Sequence, residues 1–266
     1  MSGLCRIMAH MVAFYPDRQR SLAVARGLAD GGCAYLEVQF PFSDPTADGP
    51  DIQRACSAAL EAGFSLNEGF RLVAEIRGAV PVPVFIMSYA NLLFTRGIER
   101  FLSECVQCGA RGVIVPDLPP DYDEGMFGKA ACLGIAAVPV LSPSMTEARL
   151  ARVASLSPEF IYATLRTGTT GTRTAIDTAG VAFLSRVASL SPGRTVKILG
   201  GFGVSTREQV VALTPLVHAV VVGSAFVREI ARGGDSNRAV REKLDELLGR
   251  VSRSWRDIVE LEQDCS

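Results

Sequence analysis

Short apolar, β-branched runs alternate with longer amphipathic stretches along the chain, at a spacing of roughly 30 residues, and this constrains the fold more than any other feature. Such alternation signals repeated βα units and a parallel sheet. The candidate strands are Ile7 to Ala13, Ala34 to Val38, Val82 to Met87, Gly112 to Val115, Ala136 to Leu141, Phe160 to Ala163, Thr195 to Leu199 and Ala219 to Val222, eight in all. Between them, Asp17 can cap a helix carrying Leu22, Ala25 and Leu28 that stops at Gly31-Gly32. Another opens at Pro50 and places Ile52, Ala55, Cys56 and Ala59 on one face before Gly63 ends it. Eight strands with intervening helices favour a closed (β/α)8 TIM barrel over an open doubly wound sheet, because closure leaves no edge strand to protect. A length of 266 residues suits one such barrel, which typically needs about 250. No linker divides the chain, so residues 1–266 read as a single domain. Its charged last segment is helical from about Asn237 to Arg250 and is followed by a tail from Val251 to Ser266.

Composition narrows the partners. The chain is 48 % hydrophobic and 21 % charged with a net charge of −1, the balance of a soluble globular protein, and offers no basic surplus for nucleic acid. Two stretches lack charge, Gly78 to Thr95 and Val210 to Val227. The prolines Pro81, Pro83 and Pro215 and the polar residues Ser88, Asn91, His218 and Ser224 make them strand followed by loop rather than membrane spans. Met1 to Met11 lacks the pattern of a signal peptide. Seven scattered cysteines fit a reducing cytoplasm better than a disulfide framework. Cys105 and Cys108 have metal-like spacing, but the only histidines are the isolated His10 and His218, and Cys105 shares an apolar helical stripe with Ile98, Phe101 and Leu102. Core packing, without a metal, is the expectation.

In an α/β barrel the chemistry sits on the loops that follow the strands. Glu37 lies inside an apolar strand, where an ionised carboxylate lacks water; burial there favours a proton-donating form, although a barrel neighbour could equally satisfy it for structural reasons. Asp48, in the Pro- and Gly-rich loop that follows, can fold back over the strand end, and two carboxylates in different surroundings can divide acid and base work. Asp44 and Asp48 could also be turn residues before Pro45 and Pro50. Gly200-Gly201-Phe202-Gly203 and Gly223-Ser224 follow the seventh and eighth strands, where barrels often bind phosphate on exposed backbone amides. Arg166 to Arg173 forms a small-residue loop able to close over a ligand or to serve as a plain crossover. Tyr89 can line a pocket or sit at the rim.

Together these segments resemble the tryptophan synthase alpha chain family, from about Ile7 to Arg228. The most specific piece is Pro41-Phe42-Ser43-Asp44-Pro45-Thr46-Ala47-Asp48-Gly49-Pro50. Tyr89-Ala90-Asn91, Pro116-Asp117-Leu118-Pro119, Arg166 to Gly171, Gly201-Phe202-Gly203 and Gly223-Ser224-Ala225 support it. The resemblance implies retro-aldol cleavage of indole-3-glycerol phosphate to indole and glyceraldehyde 3-phosphate, as a carbon-carbon lyase of tryptophan biosynthesis, with no metal or cofactor in this chain. Glu37 matches the family's acid/base, and Asp48 the carboxylate that accepts the indole N–H. Tyr89, Tyr162, Thr170 and Phe202 match the substrate pocket, and Gly171, Gly203, Gly223 and Ser224 the phosphate site. Pro41 and Asp44 match contacts with a beta chain. That partner would carry pyridoxal phosphate and assemble as an alpha2-beta2 heterotetramer. An alternative is a catalytically weakened subunit that only binds and regulates a beta chain.

The sequence also departs from the family pattern. Phe14-Tyr15-Pro16 stands where Gly-Asp-Pro is usual, His10 where an apolar aromatic indole contact is common, Gln39-Phe40 where a glycine precedes the Pro41 segment, and Leu165 where serine precedes Arg166. Both carboxylates and the glycines are kept, while the changes are expected to crowd or polarise the indole side.

Overall fold

The computed structural model describes residues 5–165, 178–190, 196–201 and 203–250. All strand pairings are parallel, in the order β5-β4-β3-β2-β1-β9-β8-β7-β6. The strands are β1 (Ile7–Val12), β2 (Tyr35–Gln39), β3 (Val84–Met87), β4 (Gly112–Ile114), β5 (Ala136–Val138), β6 (Val140–Leu141), β7 (Phe160–Ala163), β8 (Lys197–Gly200) and β9 (Ala219–Val222). β5 and β6 are halves of the single strand expected over Ala136 to Leu141. Only Pro139 separates them, and it has no N–H to give to a ladder. Its carbonyl still accepts from Tyr162 N at 2.9 Å, so one stave pairs with β4 at its start and β7 at its end. The sheet therefore closes as a barrel of eight staves.

The helices form where their caps predict. In α1 (Arg18–Asp30) the Asp17 side chain accepts from Arg20 N at 2.8 Å, and Gly31 ends the helix. Its buried stripe is Ser21, Val24, Ala25, Gly27 and Leu28, with Leu22 at the stripe's edge. In α2 (Pro50–Glu61) the buried residues are the four expected, Ile52, Ala55, Cys56 and Ala59. A later helix, Ile98–Gln107, buries Phe101, Leu102 and Cys105. Burial pushes the Cys108 thiol up to about 11, and the Cys105 thiol also rises well above its usual value, so both are held as neutral packing groups. The last described helix, Ser236–Leu248, is capped by Asp235 and ends at the left-handed Gly249. It lies so close to α1 that a Cβ on Gly27 would stand 2.4 Å from Asn237 O. The tail from Val251 to Ser266 lies outside the described residues.

Two packed regions result. An outer shell joins the helices to the outward faces of the strands, while inward side chains fill the barrel. At the barrel's N-terminal pole Tyr35, Phe85 and Phe160 meet edge to face, with centroids 5.1 to 5.9 Å apart. Gly112 makes room for this plug, since a Cβ there would lie 2.6 Å from Phe85 Cε1. The opposite pole is left open as a cavity.

Candidate active site

Above the aromatic plug, at the C-terminal ends of the strands, a cavity of about 250 Å³ opens. His10, Glu37, Ala47, Asp48 and Ile52 line one side, Tyr162 and Thr164 another, and Gly201, Gly203, Gly223 and Ser224 a third. Register explains the first wall. His10 of β1 is directly paired with Glu37 of β2, and both point into the barrel.

Asp48 reaches the same cavity because the loop after β2 is fastened at both ends. Phe40 enters the outer shell beside Phe64, Phe70 and Phe101, with centroids 5.2 to 6.3 Å away. Phe42 stacks on Tyr89 at 5.4 Å, and the Tyr89 hydroxyl accepts from Ala47 N at 3.1 Å. A turn bond from Asp48 N to Pro45 O at 3.0 Å then brings the chain back over the strand end. The bend is local, but its anchors come from distant helices and from the end of β3.

The two carboxylates sit in different surroundings. Glu37 is 3 % exposed; its Oε1 lies 3.3 Å from His10 Nδ1, and its Oε2 has no hydrogen-bond partner among the described residues. Asp48 Oδ2 accepts from Tyr89 Oη at 2.8 Å and from Gln39 Nε2 at 2.6 Å. Burial raises the Asp48 carboxyl above the ordinary carboxylate value, against the opposing effects of His10, Gln39 and Tyr89, and Glu37 adds to the rise. Burial would lower His10, yet Glu37 and then Asp48 outweigh it and leave the imidazole above its usual 6.5. Tyr162, facing both carboxylates, is held as the neutral phenol far above its usual value by burial and by their charges.

The cavity gathers most of the expected residues. Glu37, Asp48, Tyr162, Gly203, Gly223 and Ser224 all line it. Tyr89, expected in the pocket wall, is fully buried and stands behind Asp48 as its hydrogen-bond donor. Gly223 and Ser224 begin the helix Ser224–Ala231 with Gly223 as its cap, and a helix start directs free backbone amides outward. Thr170, Gly171 and Phe202 lie outside the described residues, as does the loop Arg166 to Arg173. On the far side of the β2 loop Asp44 is exposed, with Ser43 Oγ donating to it at 2.5 Å, whereas Pro41 is buried.

The crowding expected from Phe14 does not occur. Its backbone has φ 67°, and its ring turns away into the outer shell, edge-on to Phe64 at 5.5 Å. Gln39 and His10, by contrast, are each bound to one carboxylate. Ser142 and Thr164 also line the cavity and were missed. Both directly follow strands, as polar residues of the active face do, but neither stands in a motif.

A parallel barrel with two buried carboxylates on one wall of its C-terminal mouth, and a glycine-rich helix start on another, defines an α/β-barrel enzyme equipped for acid/base chemistry. The family model described as tryptophan synthase alpha chain matches residues 5–256. The tryptophan synthase alpha chain of Helicobacter hepaticus is 38 % identical over 232 residues, covering 85 % of this chain and 86 % of the relative. That of Carboxydothermus hydrogenoformans is 35 % identical over 252 residues, 95 % of this chain and 93 % of the relative. Among solved structures, the alpha chain fold in the a2b2 tryptophan synthase complex of Pyrococcus furiosus superimposes with a TM-score of 0.84 at 34 % identity, over 93 % of this chain and 99 % of that one. This chain belongs to the tryptophan synthase alpha chain family.

Proposed function

We propose that the chain works as one barrel domain that cleaves indole-3-glycerol phosphate, with Glu37 as the acid/base and Asp48 as the anion facing the indole N–H. The observation that carries this reading is the convergence of Glu37, Asp48, Gly203, Gly223 and Ser224 on one cavity. The retro-aldol needs a proton on indole C3 and removal of a proton from the glycerol hydroxyl. The electron pair of that O–H bond becomes the carbonyl π bond, and the carbon-carbon pair returns to the ring as indole leaves. Glu37, with one free oxygen in the cavity, serves both transfers. Asp48 balances the positive charge that develops on the ring while Tyr89 and Gln39 fix its orientation. Tyr162 closes the wall beside them. The backbone at Gly203, Gly223 and Ser224 lines the cavity and suits the phosphate dianion, and Gly171, Thr170 and Phe202 complete the pocket by family position.

These transfers need only carboxyl groups, so no cofactor is assigned to this chain. Pyridoxal phosphate belongs in a beta chain, which the Pro41 to Asp44 side of the loop contacts in an alpha2-beta2 assembly. No helix of the described residues is long and apolar enough to cross a membrane; scattered cysteines without the spacing of a disulfide framework suit a cytoplasmic setting. The deciding experiment is indole release from indole-3-glycerol phosphate by the purified chain, alone and with a beta chain. Turnover in either condition is the expected result; its absence in both overturns the assignment.

A further inference from the structure

Cleavage in this cavity needs a proton held ready for indole C3. Glu37 must carry one to give to indole C3, yet it shares its cavity with a second carboxylate, and the group beside it is an imidazole. His10 is 5 % exposed, its Nδ1 is 3.3 Å from Glu37 Oε1, and β-sheet register fixes the pair side by side. Its ring rests against Gly223, where a Cβ would stand 3.3 Å away, so the glycine leaves space for the imidazole. His10 Nε2 and Glu37 Oε2 have no hydrogen-bond partner among the described residues, although both residues line the cavity. The groups facing this pair are Gln39 from β2, Asp48 from the following loop, Tyr162 from β7, and Gly223 and Ser224 from the start of the helix after β9. Of these groups, only the imidazole of His10 gains a positive charge when it takes up a proton. Without a cation, two carboxylates in one water-poor cavity repel, and one of them is forced to take up a proton.

We propose that His10 is a positioning residue that stores the proton Glu37 delivers. The pair holds one proton in excess of a neutral imidazole and a carboxylate. Glu37 passes that proton to indole C3, which leaves neutral His10 beside carboxylate Glu37. Oε2 then takes the proton of the glycerol hydroxyl as the carbon-carbon bond breaks, and the pair regains its starting charge. One proton leaves and one returns, so the cycle needs no other reactant. Glu37 and Asp48 raise the affinity of His10 for its proton against the opposing effect of burial, which favours the loaded pair. This inference rests on the cleavage reading above, but its equilibrium part can be measured without turnover.

Two measurements test it. Only two histidines occur in the sequence, so imidazole nitrogen NMR resolves each, with His218 as an internal control. Glu37→Gln should lower the His10 midpoint by about one pH unit or more, the usual effect of losing a close opposite charge, and leave His218 unmoved. In turnover, the rate depends on a loaded pair, so kcat/KM falls as pH rises through the His10 midpoint. His10→Phe restores an aromatic of fitting size but leaves Glu37 to hold the proton alone. Its alkaline limb should shift to lower pH by about a unit or more, and His10→Asn should shift it likewise. If the His10 midpoint is the same in Glu37→Gln, or if the His10→Phe profile superimposes on that of the native chain, the inference fails. An absence of indole release from the native chain would instead overturn the cleavage reading, while the NMR result still decides whether the proton is shared.

Discussion

The two poles of the barrel carry similar polar groups and put them to opposite uses. Each has a histidine beside an aromatic or carboxylate partner. At the N-terminal pole the Tyr35 hydroxyl and His218 Nε2 are 2.9 Å apart, Phe160 lies under Lys197 at 4.9 Å and Arg111 at 5.3 Å, and Glu159 pairs with both cations. Among the described residues, no buried side-chain polar atom at that pole lacks a partner. At the C-terminal pole the space above Met87 and Val221 is a cavity, and three buried polar atoms, on His10, Glu37 and Gln39, have no partner among the described residues. Satisfied polar groups around a packed plug hold a fold together, whereas unsatisfied ones around a cavity await a ligand.

The contrast predicts which pole each substitution damages. Glu37→Gln should lower kcat for indole release by roughly a hundred- to ten-thousandfold, the usual worth of a general acid/base, with thermal unfolding hardly changed. A large loss of stability instead would place Glu37 among the structural residues. Phe160→Ala should do the reverse. Emptying the plug costs about 3 to 5 kcal/mol by chemical denaturation, while kcat per folded molecule stays close to native. Tyr89→Phe lies between the poles in effect: it removes a buried donor from Asp48 and should cost about 1 to 3 kcal/mol of stability together with a measurable fall in kcat. Proportionate loss of both quantities supports its role in fastening the loop.

The smallest effect is in pH dependence, and here the poles differ in sign. Burial, helped by Arg6 and Lys197, holds His218 below the usual 6.5, whereas His10 is raised above it. A lowered imidazole contributes stability above the ordinary value that is lost as pH falls through its folded midpoint. A raised one contributes below the ordinary value and loses its contribution as pH rises through its own. Titration should therefore give His10 a midpoint above 6.5 and His218 one below it. Midpoints in the reverse order would remove the distinction between the poles.

Much of this was legible in the chain itself. Strand positions and the buried stripe of α2 follow from periodicities of two and 3.6 residues, and the cap at Asp17 and the helix start at Pro50 from residue type, all of them local properties. The carboxylates were visible because a charged residue inside an apolar strand, or in a loop of turn formers, is conspicuous. Their meeting was not. Asp48 comes to Glu37 through Tyr89, Phe64, Phe70 and Phe101, all more than ten residues away in sequence. Tyr89 follows a strand, which suits a pocket wall or the rim, and position alone does not say which way a ring faces.

The sequence by itself determined the staves, the helices between them, the end of the barrel that carries chemistry and the residue types available there, since each depends on neighbours along the chain. Only the tertiary structure decided what those residues do to one another. Pairing with β2 sets His10 beside Glu37, closure against β9 brings it to Gly223, and Phe14 turns out into the shell. The physical reason is that charge and hydrogen bonding act through space over a few ångströms, and the pairs that decide the site become neighbours only when the strands pair and the loop after β2 folds over them.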